Sequence, residues 1–276
     1  MSGLGIRLVG LDIDGTLLNS AGRLTRRTEE AIRACIAAGC HVVPATGRPW
    51  SGLPEEFTSI PGVDWAVTAN GATLVDLAAG QVAERHWMSR EDWLFAWDLT
   101  AGFDRVMDLF LDGWGYSDEA KLARAEEWAA PGMADYIRRS RRAVEDVHAL
   151  VCRHADIEKA NLFFTRPDQR REAWRLLEES GRFEVSTSSA VGIELNAKGT
   201  DKAEGLLALG RRLGIEPAHT MACGDSGNDL PMLRRAGAGV AMGNASPEAK
   251  AAARFVTDSN DNDGVAKALE RFVLGR

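Results

Sequence analysis

At 276 residues, 45% hydrophobic and 26% charged, the chain has enough apolar material for a sizeable core and enough length for one large domain or two moderate ones. Its 33 Lys+Arg against 40 Asp+Glu give a net charge of -7, opposite to the basic footprint that binding a phosphate backbone requires, which argues against a nucleic-acid partner. No apolar stretch approaches the roughly 18 to 20 residues that cross a bilayer, the opening MSGLGIRLVG lacks a basic segment followed by a long apolar one, and Cys35, Cys40, Cys152 and Cys223 form no CxxC pair. A soluble, cytoplasmic protein with reduced thiols and no membrane partner is expected.

Ile6 to Leu11 is a short, β-rich apolar run that leads into GLDIDGTLLN. Thr25 to Ala38 has helical spacing, with Ile32, Cys35 and Ile36 on one face and Gly39 as its stop. His41 to Ala45 (HVVPA) is the next strand, with Pro44 better suited to its end than its middle. Strand, helix, strand implies a right-handed crossover and a parallel sheet. Residues 81–188 differ in texture. They hold Trp87, Trp93, Trp97, Trp114, Trp128 and Trp174 and the cluster Arg138, Arg139, Arg141 and Arg142, which read as core aromatics and a solvated helix face. The α/β rhythm returns with Val191 to Leu195 as strand, Thr200 to Leu213 as helix, Thr220 to Cys223 as strand and Asp229 to Arg235 as helix. The expected fold class is α/β, a Rossmann-like parallel-sheet core of residues 1–80 and 189–276 with an inserted α+β cap domain over 81–188, bounded by the punctuation at Ala79-Gly80 and Ser186 to Ala190.

A turn that follows a parallel strand lies at the carboxyl edge of the sheet, so Asp12 and Asp14 are expected to project into a ligand-binding crevice. Two anions there repel, and Mg²⁺ with its preference for hard oxygen ligands would relieve the repulsion. Alone, DxD is a common acidic turn. Three further pieces accompany it. ATGRPW supplies Thr46, Gly47 and Arg48, a hydroxyl, a flexible backbone and a guanidinium suited to phosphate oxygens and a second anionic group of a substrate, with Trp50 beside them. KGTDKAEG offers Lys198 and Lys202 around a helix start. MACGDSGNDLPML places Asp225, Asn228 and Asp229 at another strand-to-helix turn. His148, Cys152 and His154 lack a fourth ligand or a recognised zinc spacing.

In this order the four pieces resemble the haloacid dehalogenase (HAD) superfamily, whose phosphatase members carry DxDGT, a Thr or Ser after the second strand, a Lys, and GDxxND. DIDGTLL, ATGRPW, TANGA, GIELNAKGTDKAEGL and VAMGNA are similar to its Cof-type subfamily, with an inserted cap of type IIB. The resemblance implies that Asp12 attacks phosphorus to form an aspartyl-phosphate and that Asp14 acts as acid and then base. It further implies that Thr46 and Lys202 hold the transferring oxygens, Lys202 being preferred over Lys198. Mg²⁺ would be bound by Asp12, Asp225 and the Asp14 main-chain carbonyl, with Asp229 orienting a metal-bound water. Gly47, Arg48 and Asn228 are the expected substrate contacts, and the cap would exclude water and select the leaving group.

The activity implied is Mg²⁺-dependent hydrolysis of small-metabolite phosphomonoesters such as sugar phosphates. A sugar phosphomutase and a non-enzymatic phosphate-responsive binding protein are the alternatives. An Asp at position 14 fits hydrolysis, where water must be deprotonated, and intact Asp12 and Asp14 weigh against a mere binder. The physiological substrate and the oligomeric state are not legible.

Overall fold

A computed structural model describes residues 5–276; residues 1–4, which open the segment weighed above as a leader, lie outside the described residues. Two compact units emerge. The first holds residues up to 47, 53–84 and 201–276, and the second holds 48–52 and 85–200.

The first unit is built on a five-stranded parallel sheet in the order Phe255–Val256, Ala238–Ala241, Thr220–Gly224, Leu8–Leu11, His41–Pro44. Leu8–Leu11 is an interior strand, paired on both sides, and its near-continuous apolar character follows from burial on both faces. Val9 and Leu11 enter a core with Ile32, Cys35, Val42 and Leu269, while Leu8 joins Val43, Leu206, Leu209 and Ala222 on the opposite side. Helices Arg26–Ala37 and Gly264–Phe272 therefore cover one face and Lys202–Leu213 the other. The first of these starts where the Thr25 hydroxyl accepts the Thr28 N–H. Pro44 closes its strand, where the missing N–H breaks no ladder bond. Beyond it Ala45 makes a single parallel bridge to Val67 in Trp65–Thr68, which pairs antiparallel with Thr73–Asp76.

Helix Lys202–Leu213 sits unusually close to the loop at 69–71. A Cβ on Gly205 would stand 2.7 Å from Gly71 Cα, and one on Gly71 would stand 2.1 Å from the Asp201 carbonyl oxygen. Only glycine at both positions permits this approach, which brings the helix's first residue, Lys202, to the sheet edge.

The second unit has a six-stranded sheet in the order Phe183–Ser186, Gly192–Ala197, Lys159–Phe164, Arg105–Leu111, Trp114–Asp118, Arg141–Val144; every pairing is antiparallel except the last. The strand read at Val191 to Leu195 exists as Gly192–Ala197, but it belongs to this sheet and not to the parallel one. Its apolar run could not tell the two sheets apart, because both bury it. One face presents Met107, Leu109, Leu162, Ile193 and Leu195 to helices Arg90–Leu99 and Pro167–Glu179. By alternation the other carries Asp108, Phe110, Lys159, Asn161 and Glu194, all buried. The arginine cluster also departs from the expected solvated helix face. The helix ends at Ser140, and Arg141 begins a strand and is buried against Asp108. Among the described residues no helix is long and apolar enough to cross a membrane.

Candidate active site

Three adjacent strands, Leu8–Leu11, His41–Pro44 and Thr220–Gly224, run parallel and in register, and their loops open at the carboxyl edge where such sheets bind ligands. The Asp12 N–H donates to the Cys223 carbonyl at 3.0 Å, extending the ladder one residue past the first strand. The chain then turns at Gly15, whose φ of +76° is left-handed. A Cβ there would stand 2.6 Å from Asp225 Oδ2, so the DxDGT and GDSGND turns meet at a distance only glycine allows. Thr16 Oγ1 donates to Asp225 Oδ1 at 2.9 Å and locks the two turns together.

Into this junction comes Lys202. Its Nζ lies 2.6 Å from Asp12 Oδ1 and 2.7 Å from Asp229 Oδ1, and the side chain is wholly buried. Asp229 is equally buried, and its second oxygen accepts the backbone N–H groups of Asp225 and Ser226 at 2.9 and 3.0 Å. One oxygen of Asp229 thus holds the lysine while the other holds the loop that carries Asp225. Lys198, the rival lysine, belongs to the second unit and donates to the Phe183 carbonyl at 3.3 Å.

Charge here is unbalanced. Asp12, Asp225 and Asp229 each offer an oxygen within 4.8 Å of the others, against the one ammonium of Lys202. Burial raises the Asp12 carboxyl well above its ordinary range despite the pull of Lys202, and burial followed by the Asp229 charge pushes Asp225 up to about 6. Burial opposes the Lys202 charge, but Asp12 and Asp229 outweigh it and hold the ammonium above its usual pKa. A compact set of desolvated carboxylates with hard oxygen donors is the chemistry a divalent cation fits. Asp14, two residues on, is exposed, with extended backbone (φ −80°, ψ 121°), so its carboxyl meets solvent where Asp12 does not.

Thr46 is buried one residue past Ala45; its N–H donates to the Val67 carbonyl and its carbonyl accepts the Asn70 N–H, both at 2.9 Å. Asn70 was missed as a site residue. It is buried in the left-handed region (φ 57°), and its Oδ1 accepts from Asn228 Nδ2 at 3.2 Å, tying the loop after the second strand to the GDSGND turn. The available signal was the Asn-Gly pair, a left-handed turn signature. Asn228 Oδ1 accepts the Ser226 hydroxyl at 2.9 Å. Gly47 is the last residue of its stretch in the first unit, and Arg48 begins the second unit's short segment 48–52. The Arg48 guanidinium lies over the Tyr136 ring, 4.5 Å from its centroid, and donates to the Gly52 carbonyl at 2.8 Å. Trp50, in the turn Trp50–Gly52, packs beside Gly113.

The haloacid dehalogenase-like hydrolase family matches residues 9–269. The chain is 32% identical over 277 residues to the 5-amino-6-(5-phospho-D-ribitylamino)uracil phosphatase YcsE of Bacillus subtilis (strain 168), covering 98% of this chain and 96% of that one. A haloacid dehalogenase-like hydrolase from B. subtilis is similar in structure, with a TM-score of 0.85 at 26% identity over 96% of this chain and 99% of the other. The HAD subclass IIB sugar phosphatase BT4131 superposes with a TM-score of 0.82 at 25% identity over 96% and 98% of the two chains. With a family match that spans nearly all of its length and relatives that are phosphatases along their whole chains, the protein belongs to the haloacid dehalogenase-like hydrolase family and is a phosphatase of that family.

Proposed function

We propose a Mg²⁺-dependent hydrolase that acts on small phosphomonoesters through an aspartyl-phosphate, with phosphate borne on a polyhydroxylated carbon chain as its substrate class. The observation that carries this reading is the buried Lys202 bound to both Asp12 and Asp229 beside Asp225, a pocket with more acid than base. The substrate class is supported by two relatives, one described as a sugar phosphatase and one whose substrate name contains a phosphorylated ribityl chain.

In the first step an Asp12 carboxylate oxygen attacks phosphorus in line. The bond from phosphorus to the leaving oxygen breaks as Asp14 gives that oxygen its proton. In the second step Asp14 takes a proton from water, the water oxygen attacks phosphorus, and the bond to Asp12 breaks to release phosphate. The exposed position of Asp14 suits a group that must meet both a leaving group and water. Lys202 spreads positive charge over Asp12 and the transferring oxygens, and Thr46 and the Gly47 N–H would hold two of those oxygens. Asp12 and Asp225, with the Asp14 main-chain carbonyl that the resemblance implies, would hold Mg²⁺, which supplies charge to offset the approach of one anion to another. Asp229 would act from behind, since its oxygens hold Lys202 and the Asp225 loop. The second unit, which takes in residues 85–200 in place of the expected 81–188, is proposed as the cap that selects the leaving group, with Arg48 and Asn228 as substrate contacts.

A screen of metabolite phosphates with Mg²⁺ tests the reading. Wild type is expected to release inorganic phosphate, and Asp12→Asn and Asp14→Asn to lose nearly all of that release on the same substrates. Undiminished release from Asp12→Asn overturns the assignment of the nucleophile.

A further inference from the structure

The VAMGNA string has no part in the chemistry assigned so far. It leaves strand Ala238–Ala241 at the same carboxyl edge of the parallel sheet, and its ties run to both acid turns. The Met242 N–H donates to the Gly224 carbonyl at 3.1 Å and the Ser246 N–H to the Asp225 carbonyl at 2.9 Å, which secures the GDSGND side. Between them Asn244 Nδ2 donates to the Gly15 carbonyl at 2.8 Å, on the DxDGT side. Residues 242–246 thus span the two turns that carry Asp12 and Asp225. The Asn244 amide is itself held. Its Oδ1 accepts the Asn260 N–H at 3.0 Å, so its nitrogen and oxygen cannot exchange places, and Asn260 Nδ2 donates to the Leu18 carbonyl at 2.9 Å. The Gly243 N–H donates to the Asp258 carbonyl at 3.0 Å, and a Cβ on Gly243 would stand 2.7 Å from the Ser259 nitrogen, so the two segments lie in close contact. The second segment is anchored in turn, because Asp261 accepts the Ser20 N–H at 2.8 Å as well as its hydroxyl, and Asp263 accepts the Thr25 hydroxyl at 2.6 Å.

Gly15 is where such a hold matters. The turn Ile13–Leu17 is closed by the Leu17 N–H on the Asp12 carbonyl at 3.2 Å and the Leu18 N–H on the Ile13 carbonyl at 3.0 Å. Asp14 and Gly15 inside it are not helical, and glycine restrains the peptide planes on either side of it least of all residues. A hydrogen bond on the Gly15 carbonyl fixes the plane after Gly15 and, for its backbone angles of φ 76° and ψ −1°, the direction of the Asp14 carbonyl before it. That carbonyl is the proposed main-chain ligand of Mg²⁺. The demand on its direction differs between ions: Mg²⁺ requires near-octahedral oxygens at about 2.0–2.1 Å, whereas Ca²⁺ accepts about six to eight oxygens in looser arrangements at about 2.3–2.6 Å.

We propose that Asn244 is a positioning residue for the metal site: it holds the Gly15 backbone against the segment that also secures the Asp225 turn, and so tunes the site to Mg²⁺ over Ca²⁺. This rests on the metal site proposed above and adds to it the residue that sets its preference between ions.

The test titrates the full chain, freed of metal by chelation and dialysis, with Mg²⁺ and separately with Ca²⁺, and follows binding by calorimetry. The readout is the Kd for each ion and their ratio, with no substrate present. Asn244→Ala should raise the Mg²⁺ Kd about fivefold, the scale of one net hydrogen bond, and the Ca²⁺ Kd by less than about twofold, because the looser ion tolerates a carbonyl that has lost its fixed direction. Asn262→Ala is the matched control. Its Nδ2 donates to the Ser259 hydroxyl at 2.7 Å in the same anchoring segment and reaches neither acid turn, so both constants should stay within about twofold of wild type. An unchanged Mg²⁺ Kd in Asn244→Ala, equal changes for the two ions, or a shift of the same size in Asn262→Ala would overturn the proposal. Wild type that binds Mg²⁺ while Asn244→Ala binds it equally well defeats only this inference, whereas wild type that binds neither ion defeats the metal reading beneath it.

Discussion

In the first unit the buried ammonium of Lys202 stands against Asp12 and Asp229, with Asp225 beside them, so acids outnumber bases in a desolvated space. In the second unit Arg141 pairs with Asp108 at 2.8 Å and Lys159 with Glu194 at 2.9 Å, while the further buried acid Glu158 accepts the Gly113 N–H. A balanced buried pair has compensated its own desolvation and acts mainly on packing and geometry. In the first unit the excess is concentrated in three carboxylates within 4.8 Å of one another, a donor set that suits a divalent cation. Surface pairs such as Arg26 with Glu30 form a third, solvated class.

Substitutions in each class separate these roles. The largest effect is expected at Asp12, where replacement by Asn should lower kcat on the order of 10⁴-fold or more, the scale for losing a covalent nucleophile, measured as steady-state phosphate release. Next comes Asp108→Ala, which leaves Arg141 buried without its carboxylate. Urea denaturation should show a loss of about 3 to 5 kcal/mol, and an unchanged midpoint would show that the pair is not structurally required. The unbalanced cluster should respond to metal instead. Saturating Mg²⁺ after chelation should raise the melting temperature, with about 2.7 kcal/mol of stabilisation at a hundredfold excess over Kd, and Asp225→Asn should abolish most of the increment. Equal Mg²⁺ stabilisation of that variant and wild type would remove Asp225 from the metal site. Smallest of all, Arg26→Ala should produce no resolvable shift in the same melt, because its partner is held in open solvent.

The comparison also explains what the sequence could and could not disclose. Asp12, Asp225 and Asp229 were legible as acids at strand-to-helix turns, whereas the choice of Lys202 over Lys198 came from the resemblance to the HAD superfamily. Gly15 and Gly205 belong to the same strings, and the structure shows why: each permits a contact no other residue could accommodate. Asn70 escaped because its role rests on a partner, Asn228, that lies 158 residues away. In the second unit Asp108, Arg141 and Asn161 share no string at all; antiparallel register sets Asn161 opposite Asp108, and the parallel edge strand Arg141–Val144 brings Arg141 to them. The same lack of local information placed Gly192–Ala197 with the wrong sheet and read Arg141 as solvated. Strand existence was readable from apolar runs, whereas sheet membership was decided by pairing partners that a run cannot name.

The central claim, covalent participation of the Asp12 carboxylate, is tested most directly by trapping. Asp14→Asn, which retains the nucleophile but lacks the base for the second step, is mixed with Mg²⁺ and p-nitrophenyl phosphate, quenched in acid and mapped by peptide mass spectrometry. The account predicts one nitrophenolate released rapidly per protein and a phosphoryl group on the peptide containing Asp12, at that residue. Release of nitrophenolate with position 12 unmodified, or modification at another side chain, would contradict it.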